Sequence, residues 1–540
     1  MKKLFVILAF TCSVAVAQTE QYDALLNEKY KSSEPGAAVL VAKSGNILYR
    51  KATGMADLEN NVALTPNHVF EIGSITKQFT SVAVLMLVEE GKLSLDDLVT
   101  KYIDNYPMNG HKITIHHLLT HTSGIKSYTD MESWTKLWRL DKTPKEMIDL
   151  FKNEPMDFAP GEQWRYNNSA YFMLGYVIEK ASGLPYPEFL EKKIFAPLGM
   201  KNTYYGSMSR VIPNRAQGYQ KDANGFVNAE YLSLTQPYAA GSIMSTVDDL
   251  LTWNTSVFAG KLIKKETLQK ALTDYKLNNG KPTHYGYGWA LNEINSSLSY
   301  EHSGGIFGYT TNGIYLPKED VYVIMLTNRN DQVPSDPSTY MAAIAIGKPY
   351  GKTETKAKLD DAYAKSLVGV YDFDENVSRV INYVDGEFTS QRIGGSKFKI
   401  FPQDKTHFKF ENPYNTYEFI TDKSGAIKEV IFKDRIITQR GVKTNKPIPA
   451  HNEITLPEST LQQYAGVYEI QPGFNITITL EGQRLMSQAT GQQKFEIFAE
   501  AENKFFLKVV DAQIEFIKGD GGKFSMMLHQ GGRDIPGKRK

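Results

Sequence analysis

The chain has 540 residues, 41% of them hydrophobic, so it is long enough for two or three folded units with sizeable cores. Its 61 basic and 60 acidic side chains nearly cancel, and no long run carries one sign, which excludes the strongly basic binders of nucleic acid or anionic membranes. The one cysteine is Cys12, so the chain beyond it has no disulfide, no thiolate metal site and no cysteine nucleophile.

The first 17 residues have the three parts of a secretory signal. Lys2 and Lys3 precede an apolar stretch, and Ala15-Val16-Ala17 has the small-residue pattern of a cleavage site. We predict cleavage after Ala17 and export to the periplasm or the medium. No later run approaches the roughly 20 apolar residues that span a bilayer, so no transmembrane segment is expected.

A β-hairpin and a helix are predicted next. Ala37 to Ala42 and Ile47 to Arg50 are apolar strands separated by the turn residues Ser44-Gly45-Asn46. Ser74 to Glu90 has apolar residues at helical spacing, and Gly91 after it is typical of a helix C-cap. We expect this helix to be buried.

The middle of the chain mixes helical stretches, such as Tyr171 to Ala181, with Pro and Gly punctuation. It ends in two apolar runs, Asn312 to Leu316 and Val321 to Leu326, joined by a hairpin turn. Strands at both ends with helices between them favour an antiparallel sheet covered by helices over a doubly wound parallel sheet. We place this domain at residues 18–350.

The C-terminal third is predicted to hold two copies of one β-rich unit. A charged linker at residues 351–365 precedes them. Leu367 to Tyr371 and Tyr464 to Tyr468 then echo each other 97 residues apart. Because each copy is alternating and turn-rich, we predict two small antiparallel β domains, barrels or sandwiches, at residues 366–447 and 458–540.

Three motifs carry candidate reactive groups: Ser74-Ile75-Thr76-Lys77, Tyr166-Asn167-Asn168 and His302-Ser303-Gly304-Gly305. Each is weak alone, because Ser133-Trp134-Thr135-Lys136 also fits Ser-x-x-Lys and His529-Gln530-Gly531 also fits His-x-Gly. Their order, spacing and flanking sequence together separate the first set from these other matches.

A serine hydroxyl is a poor nucleophile unless a neighbouring base takes its proton. Residues i and i+3 share a helix face, so Lys77 can reach Ser74, and the helix N-terminus favours a developing negative charge. Gly73 allows close backbone approach. The alternative for such a pair is an N-cap serine with a solvated lysine. We keep that interpretation for Ser133 and Lys136, since no buried helix follows them.

With its flanking sequence, the trio resembles the serine β-lactamase and penicillin-binding-protein superfamily, in the class C-related branch of esterases, D-aminopeptidases and DD-peptidases. The resemblance covers about residues 24–345 and includes Phe70 to Lys77, Ile115 to Gly124, Pro160 to Glu162 and Ala240 to Ser242. It implies an α+β fold: a β-lactamase/transpeptidase-like catalytic domain followed by two small antiparallel β domains. The C-terminal repeats resemble β-barrel domains appended to some D-aminopeptidases of this branch.

The resemblance also implies roles for the first two motifs. Ser74 would attack an acyl carbonyl, and Lys77 and Tyr166 would share general-base and general-acid duty. Asn168 would orient Lys77 or the substrate amide. Whether neutral Lys77 or a tyrosinate at Tyr166 is the operative base stays open.

The third motif would complete the site. The oxyanion would lie between the backbone N–H groups of Ser74 and Gly305, and Gly304 and Gly305 let a ligand approach the strand. Family members that hydrolyse β-lactams well carry Lys-Thr-Gly here. His302 replaces that lysine and is expected to be neutral near pH 7, which weakens a β-lactamase assignment.

We therefore expect a secreted serine hydrolase that acts on an amide or ester, either a D-amino-acid-containing peptide, such as a cell-wall peptide, or a small ester. The alternatives are a penicillin- or peptidoglycan-peptide-binding or sensing protein with little turnover, and a weak β-lactamase. No cofactor is expected. No metal is expected either, since His116, His117 and His121 share no helical face and no acidic motif joins them. The sequence leaves the oligomeric state open.

Overall fold

The computed structural model describes residues 18–222, 225–351, 357–373, 377–393, 395–412, 414–449, 451, 453–471, 474–519, 522–530 and 533–540. The predicted signal at residues 1–17 lies outside this part. The chain divides into two compact units, one holding the chain up to Lys221 and Phe226–Pro349, the other Asp222–Gly225 and Tyr350–Lys540. In the described ranges, no helix is long and apolar enough to cross a membrane.

The first unit is built on short strands that pair antiparallel. In chain order they are β1 (Ala37–Lys43), β2 (Asn46–Thr53), β3 (Met55–Asp57), β4 (Val62–Ala63), β5 (Phe70–Glu71), β6 (Tyr204–Tyr205), β7 (Tyr219–Asp222), β8 (Gly225–Asn228), β9 (Ile243–Ser245), β10 (Ala290–Ile294), β11 (Ser297–Ile306), β12 (Tyr309–Leu316) and β13 (Val321–Thr327). The main sheet has the order β10-β11-β12-β13-β1-β2 among the described strands. Both predicted hairpins lie in it, and they meet where Ala37 of β1 pairs with Thr327 of β13.

Helices surround this sheet. The first, α1, covers residues 18–29. The others in this unit are α2 (Thr76–Glu89), α3 (Ile115–Leu119), α4 (Glu132–Thr135), α5 (Pro144–Phe151), α6 (Asn168–Ser182), α7 (Tyr186–Leu190), α8 (Ala196–Leu198), α9 (Val247–Phe258), α10 (Lys265–Ala271) and α11 (Ser335–Ala345). Helices α9 and α11 pack on β1 and β13, and α2 packs against α6 and α10. Helix α2 is buried along most of its length, as predicted.

The second unit contains two closed eight-stranded antiparallel barrels. The first follows α12 (Asp361–Leu367) and consists of β14 (Gly369–Phe373), β15 (Val377–Val384), β16 (Glu387–Arg392), β17 (Lys397–Pro402), β18 (His407–Phe410), β19 (Asn415–Thr421), β20 (Ile427–Asp434) and β21 (Ile437–Lys443). The second follows α13 (Glu458–Tyr464) and consists of β22 (Gly466–Gln471), β23 (Phe474–Glu481), β24 (Arg484–Ala489), β25 (Phe495–Ala499), β26 (Lys504–Leu507), β27 (Ala512–Lys518), β28 (Phe524–Gln530) and β29 (Arg533–Arg539).

The duplication extends to single hydrogen bonds. The Tyr371 hydroxyl donates to the Leu367 carbonyl at 2.7 Å, and the Tyr468 hydroxyl donates to the Tyr464 carbonyl at 2.9 Å. The repeated sequence therefore forms the junction between a helix and the first strand of each barrel. In both barrels the hydroxyl of a buried tyrosine holds this junction together. The predicted α+β class with two small antiparallel β domains is confirmed, and both domains are barrels.

Candidate active site

The Ser74–Lys77 motif lies where helix α2 meets the main sheet. The 3-10 turn Gly73–Ile75 leads into α2, and Gly73 has a φ of +52°. A Cβ at Gly73 would lie 2.9 Å from the backbone nitrogen of Gly305 on β11. Glycine is therefore needed for its conformation and for close packing of the turn on the strand. This packing sets Ser74 beside the third motif.

Lys77 is buried, and its Nζ contacts three oxygens. The distances are 3.0 Å to Ser74 Oγ, 2.9 Å to Asn168 Oδ1 and 2.9 Å to the Ala240 carbonyl. Burial lowers the pKa of Lys77 well below its usual value, because a cation is poorly solvated there. A neutral amine has two hydrogens and one lone pair. Asn168 and Ala240 accept the hydrogens, so the lone pair is left for the proton of Ser74.

The Ala240 carbonyl is brought to Lys77 by the pairing of β5 with β9. The Ile72 N–H donates to the Ile243 carbonyl at 3.0 Å, and the Ile243 N–H donates to Thr76 Oγ1 at 3.1 Å. The segment before β9 is therefore anchored to the first turn of α2. Sequence reasoning quoted Ala240 to Ser242 only as part of the family resemblance and assigned this carbonyl no contact.

The Tyr-x-Asn motif lies at the N-terminus of α6. Asn167 caps this helix, because its Oδ1 accepts from the Ala170 N–H at 2.9 Å, and its Nδ2 donates to the Ile125 carbonyl at 2.5 Å. Asn168 Nδ2 donates to Thr129 Oγ1 at 3.2 Å. This bond orients the Asn168 amide so that its oxygen faces Lys77.

Tyr166 lies against the Lys77 amine, whose Nζ is 4.7 Å from the centre of its ring. Burial raises the pKa of Tyr166 well above its usual value, and the nearby Ser74 hydroxyl partly opposes this shift. The Ser74 and Tyr166 hydroxyls do not, however, meet hydrogen-bond geometry with each other. The Tyr166 hydroxyl has no hydrogen-bond partner among the described residues. A phenol with a raised pKa stays protonated near pH 7. The electrostatics therefore favour Lys77 over a tyrosinate as the base.

His302 is buried behind the other groups. Its Nδ1 lies 2.6 Å from the Ser303 carbonyl and its Nε2 lies 2.8 Å from the Tyr285 hydroxyl. Because a carbonyl only accepts, Nδ1 carries the proton and Nε2 accepts from Tyr285. Burial, and the charge that Lys77 has when it is protonated, lower the pKa of His302 to about 3, so the ring is neutral, as the sequence predicts. Both ring nitrogens of His302 therefore have hydrogen-bond partners within the protein.

The two glycines of the third motif face different surroundings. A Cβ at Gly304 would lie 2.1 Å from the Ile72 carbonyl oxygen, whereas a Cβ at Gly305 would meet no atom within 4 Å. Gly304 therefore allows β11 to pack on the segment before Ser74. Gly305 lines an open cleft of about 360 Å³ together with Ser74 and Asn168.

The three histidines between residues 116 and 121 have separate partners. His116 Nδ1 lies 2.8 Å from the Tyr287 hydroxyl, His117 forms a capping box with Thr114, and His121 Nδ1 accepts from the Asn167 N–H at 3.0 Å. In the described part of the chain, no group of three or more His, Cys, Asp or Glu side chains could hold a metal ion. His116 and His117 lie on α3, and His121 lies just after this helix, where it holds the main chain at Asn167.

The structure thus gathers Ser74, Lys77, Tyr166, Asn168 and Gly305 around one point. Of the other predicted site residues, Gly304 lies beneath the Ser74 turn. His302 lies beside Tyr166, with ring centres 6.1 Å apart, and like Lys77 and Tyr166 it does not line the cleft itself. Sequence reasoning considers His121 only as a candidate metal ligand and as part of the stretch Ile115 to Gly124 that carries the resemblance. The structure places its ring centre 4.4 Å from that of Tyr166.

Two family models match this chain. The family model described as Beta-lactamase matches residues 20–348, and the model described as Domain of unknown function (DUF3471) matches residues 450–539. Penicillin-binding protein 4* of Bacillus subtilis is 29% identical over 434 residues, which cover 76% of this chain and 94% of that protein.

Solved structures are similar as well. An octameric penicillin-binding protein homologue from Pyrococcus abyssi aligns with a TM-score of 0.56 and 27% identity, covering 79% of this chain and 99% of that one. The D-amino acid amidase from Ochrobactrum anthropi SV3 aligns with a TM-score of 0.54, covering 60% of this chain and 98% of that one. At 24% identity, this second likeness is one of fold alone.

Proposed function

This chain belongs to the beta-lactamase family, within the serine hydrolase superfamily, and from that premise we propose that it is an exported hydrolase that forms an acyl-enzyme at Ser74. Its proposed substrate is an amide or ester, either a peptide containing a D-amino acid or a small ester. Relatives named as penicillin-binding proteins, and a fold shared with a D-amino acid amidase, support this substrate class. Export rests on the signal pattern of residues 1–17.

One observation carries the proposal: Lys77 Nζ lies 3.0 Å from Ser74 Oγ while two carbonyl-type oxygens accept its hydrogens. A lysine held in this way with a lowered pKa can accept a proton, whereas a solvated lysine at the same spacing cannot. Ser74 is only half-buried and lines the cleft, so a substrate carbonyl can reach it.

The proposed reaction has two stages. As Ser74 Oγ bonds to the carbonyl carbon, its proton passes to Lys77, and the backbone N–H groups of Ser74 and Gly305 bind the oxyanion. The bond to the leaving amine or alcohol then breaks, and that group takes a proton relayed through Tyr166. In the second stage, water attacks the ester at Ser74, releases the acid and restores the serine hydroxyl.

The domain limits given above are part of the proposal: a hydrolase domain at 18–350, a linker at 351–365 and β domains at 366–447 and 458–540. The match of the second family model to residues 450–539 supports the last of them. Residues 360–540 supply no catalytic constellation in the described part of the chain, so we assign the chemistry to the first domain.

The test is a matched pair of serine variants. A labelled fluorophosphonate should mark the wild type and Ser133→Ala but not Ser74→Ala. Hydrolysis of p-nitrophenyl esters and D-aminoacyl anilides should fall by at least about 10³-fold in Ser74→Ala, since loss of a catalytic serine typically costs more than that. Ser133→Ala should keep full activity, because the Ser133 side chain is exposed and, unlike that of Trp134 beside it, does not line the cleft.

Adding labelled penicillin and nitrocefin to this panel separates the alternatives. Acylation by labelled penicillin without turnover of any ester, anilide or nitrocefin would favour a binding or sensing protein. Rapid nitrocefin hydrolysis would favour a β-lactamase, against the expectation from a neutral His302. Equal labelling of the wild type and Ser74→Ala would refute the acyl-enzyme.

A further inference from the structure

The cleft in front of Ser74 is lined by uncharged side chains. Away from the reacting end, its wall is mostly apolar and aromatic, formed by Tyr128, Trp134, Leu232, Pro237, Ile306 and Phe307. Among the described residues that line it, none is Lys, Arg, His, Asp or Glu. Its volume of about 360 Å³ lies within the range of about 300–1,000 Å³ for small-molecule sites.

The aromatic wall is fixed before any substrate arrives. Trp134 Nε1 donates to Gln236 Oε1 at 3.0 Å. The Trp134 ring packs edge-on against Tyr128 and Trp138, with centres 5.5 Å apart in both pairs, and Trp138 packs edge-on against Phe307 at 5.0 Å. Because these rings hold one another, an apolar group can bind them with little further loss of side-chain freedom.

The two basic side chains near the reacting end, Lys77 and His302, already have hydrogen-bond partners. Lys77 is buried with three oxygens around its amine. His302 is neutral with both ring nitrogens bonded. A substrate carboxylate in this cleft would lose its hydration and gain no cationic partner, which is costly. An aromatic or branched aliphatic group would instead be removed from water against the wall.

We infer that this hydrolase acts on substrates whose acyl group has no ionised carboxylate and carries an aromatic or other bulky apolar group beside the scissile carbonyl. It discriminates against acyl groups with an ionised carboxylate at that place. This inference rests on the proposed function and names the substrate class of the same site. The chemistry of the cleft thus separates apolar acyl amides and esters from the acidic ends of peptides.

The experiment compares esters that share the p-nitrophenol leaving group. The methyl glutarate and hydrogen glutarate esters differ in charge, and the phenylacetate and acetate esters differ in apolar bulk. We expect kcat/KM to be about 100-fold higher for the methyl glutarate than for the hydrogen glutarate, since an unpaired buried charge costs at least as much as an unpaired polar group. The phenylacetate should exceed the acetate by about 10-fold or more.

A variant then places a cation in the cleft. Phe307→Lys should raise kcat/KM for the hydrogen glutarate about 10-fold, as a charge-assisted contact does, and lower it for the phenylacetate. Val211→Lys is the matched control, since Val211 is 90% exposed and outside the cleft lining. It should leave both ratios unchanged. Thermal melting of both variants checks that they fold.

The outcomes distinguish the two proposals. Equal rates for the charged and neutral glutarates, with Ser74-dependent turnover, would overturn the apolar-acyl inference and leave the hydrolase assignment intact. If Phe307→Lys fails to fold, the wild-type ratios still decide. Absence of any Ser74-dependent acylation or turnover would overturn the hydrolase assignment itself.

Discussion

Two of the Ser-x-x-Lys stretches in this chain, those that begin at Ser74 and Ser133, lie in opposite surroundings. Lys77 is fully buried, with its amine between Ser74, Asn168 and Ala240. Lys136 is exposed, and its amine pairs with Glu132 on the same short helix at 3.6 Å, where both side chains are more than 60% exposed. In both stretches the spacing alone would allow the lysine amine to reach the serine hydroxyl. What differs is whether the surrounding fold removes water and supplies acceptors.

This difference shows what a reactive lysine needs. An exposed ion pair contributes about 0–1 kcal/mol and leaves the amine protonated. At Lys77, burial opposes protonation, and among the described residues no carboxylate pairs with the amine to favour its charged form. The lysine of a Ser-x-x-Lys motif can therefore act as a base only when neutral oxygens, rather than a carboxylate, surround its buried amine.

The largest expected effect comes from removing each lysine in turn. Lys77→Met should lower kcat/KM by about 10³-fold or more, because Ser74 loses its proton acceptor. Lys136→Met should stay within about twofold of the wild type. Steady-state hydrolysis of the preferred p-nitrophenyl ester measures both.

Folding is the control for this pair. Replacing a buried amine by a thioether of similar length removes a desolvated group, so Lys77→Met should melt at or above the wild-type temperature. A large activity loss in Lys136→Met, or none in Lys77→Met, would contradict the proposal that Lys77, and not Lys136, acts as the base.

A smaller effect is expected from Tyr166, which lies against Lys77. Its proposed role is to relay a proton to the leaving group and not to take the proton of Ser74. Tyr166→Phe should lower kcat about 100-fold, because the leaving group loses a proton relay. The wild-type rate should rise with pH through the pKa of Lys77, since the protonated amine cannot accept a proton. Because burial lowers that pKa, the rise should occur well below lysine's usual 10.5.

Tyr166→Phe should keep this rising limb, because the limb belongs to Lys77. The pKa of Tyr166 is raised, so tyrosine ionisation cannot produce a rise near pH 7. Loss of the limb in Tyr166→Phe, measured as a pH–rate profile, would instead identify the tyrosinate as the base.

The smallest effect is expected from the acceptors around each lysine. Asn168→Ala removes one of the acceptors that orient Lys77 but leaves the Ala240 carbonyl, so kcat/KM should fall by about 10-fold, the cost of one hydrogen bond to a polar partner. Glu132→Ala removes the partner of Lys136 and should change nothing. A loss of activity in Asn168→Ala equal to that in Lys77→Met would mean that the Asn168 side chain alone orients the Lys77 amine.

Much of this architecture could be predicted from sequence because the signals are local. The apolar runs of β1, β12 and β13, the cap after α2 and the 97-residue echo each lie within short segments whose spacing sets a hairpin, a helix or a repeat. The order of the three motifs likewise predicted that Ser74, Lys77 and Asn168 would meet.

Other features depend on contacts between segments far apart in the chain. The Ala240 carbonyl has no side-chain signature, and its contact with Lys77 joins residues 163 positions apart. His302 was predicted to be neutral and to serve the site, yet its nitrogens are bonded by Tyr285 and Ser303, which no motif indicated. The aromatic wall of the cleft combines α4 with the β11–β12 turn, and only the folded chain shows that Trp138 and Phe307 touch.

The Ala240 carbonyl has an evolutionary consequence. Because it belongs to the main chain, no substitution at position 240 other than one that moves the backbone can delete it. Descendants of this gene can exchange Asn168 while they explore new substrates and still retain one fixed acceptor for the amine. Part of the proposed catalytic apparatus is thereby shielded from point mutation, which leaves the side chains of the cleft free to diversify.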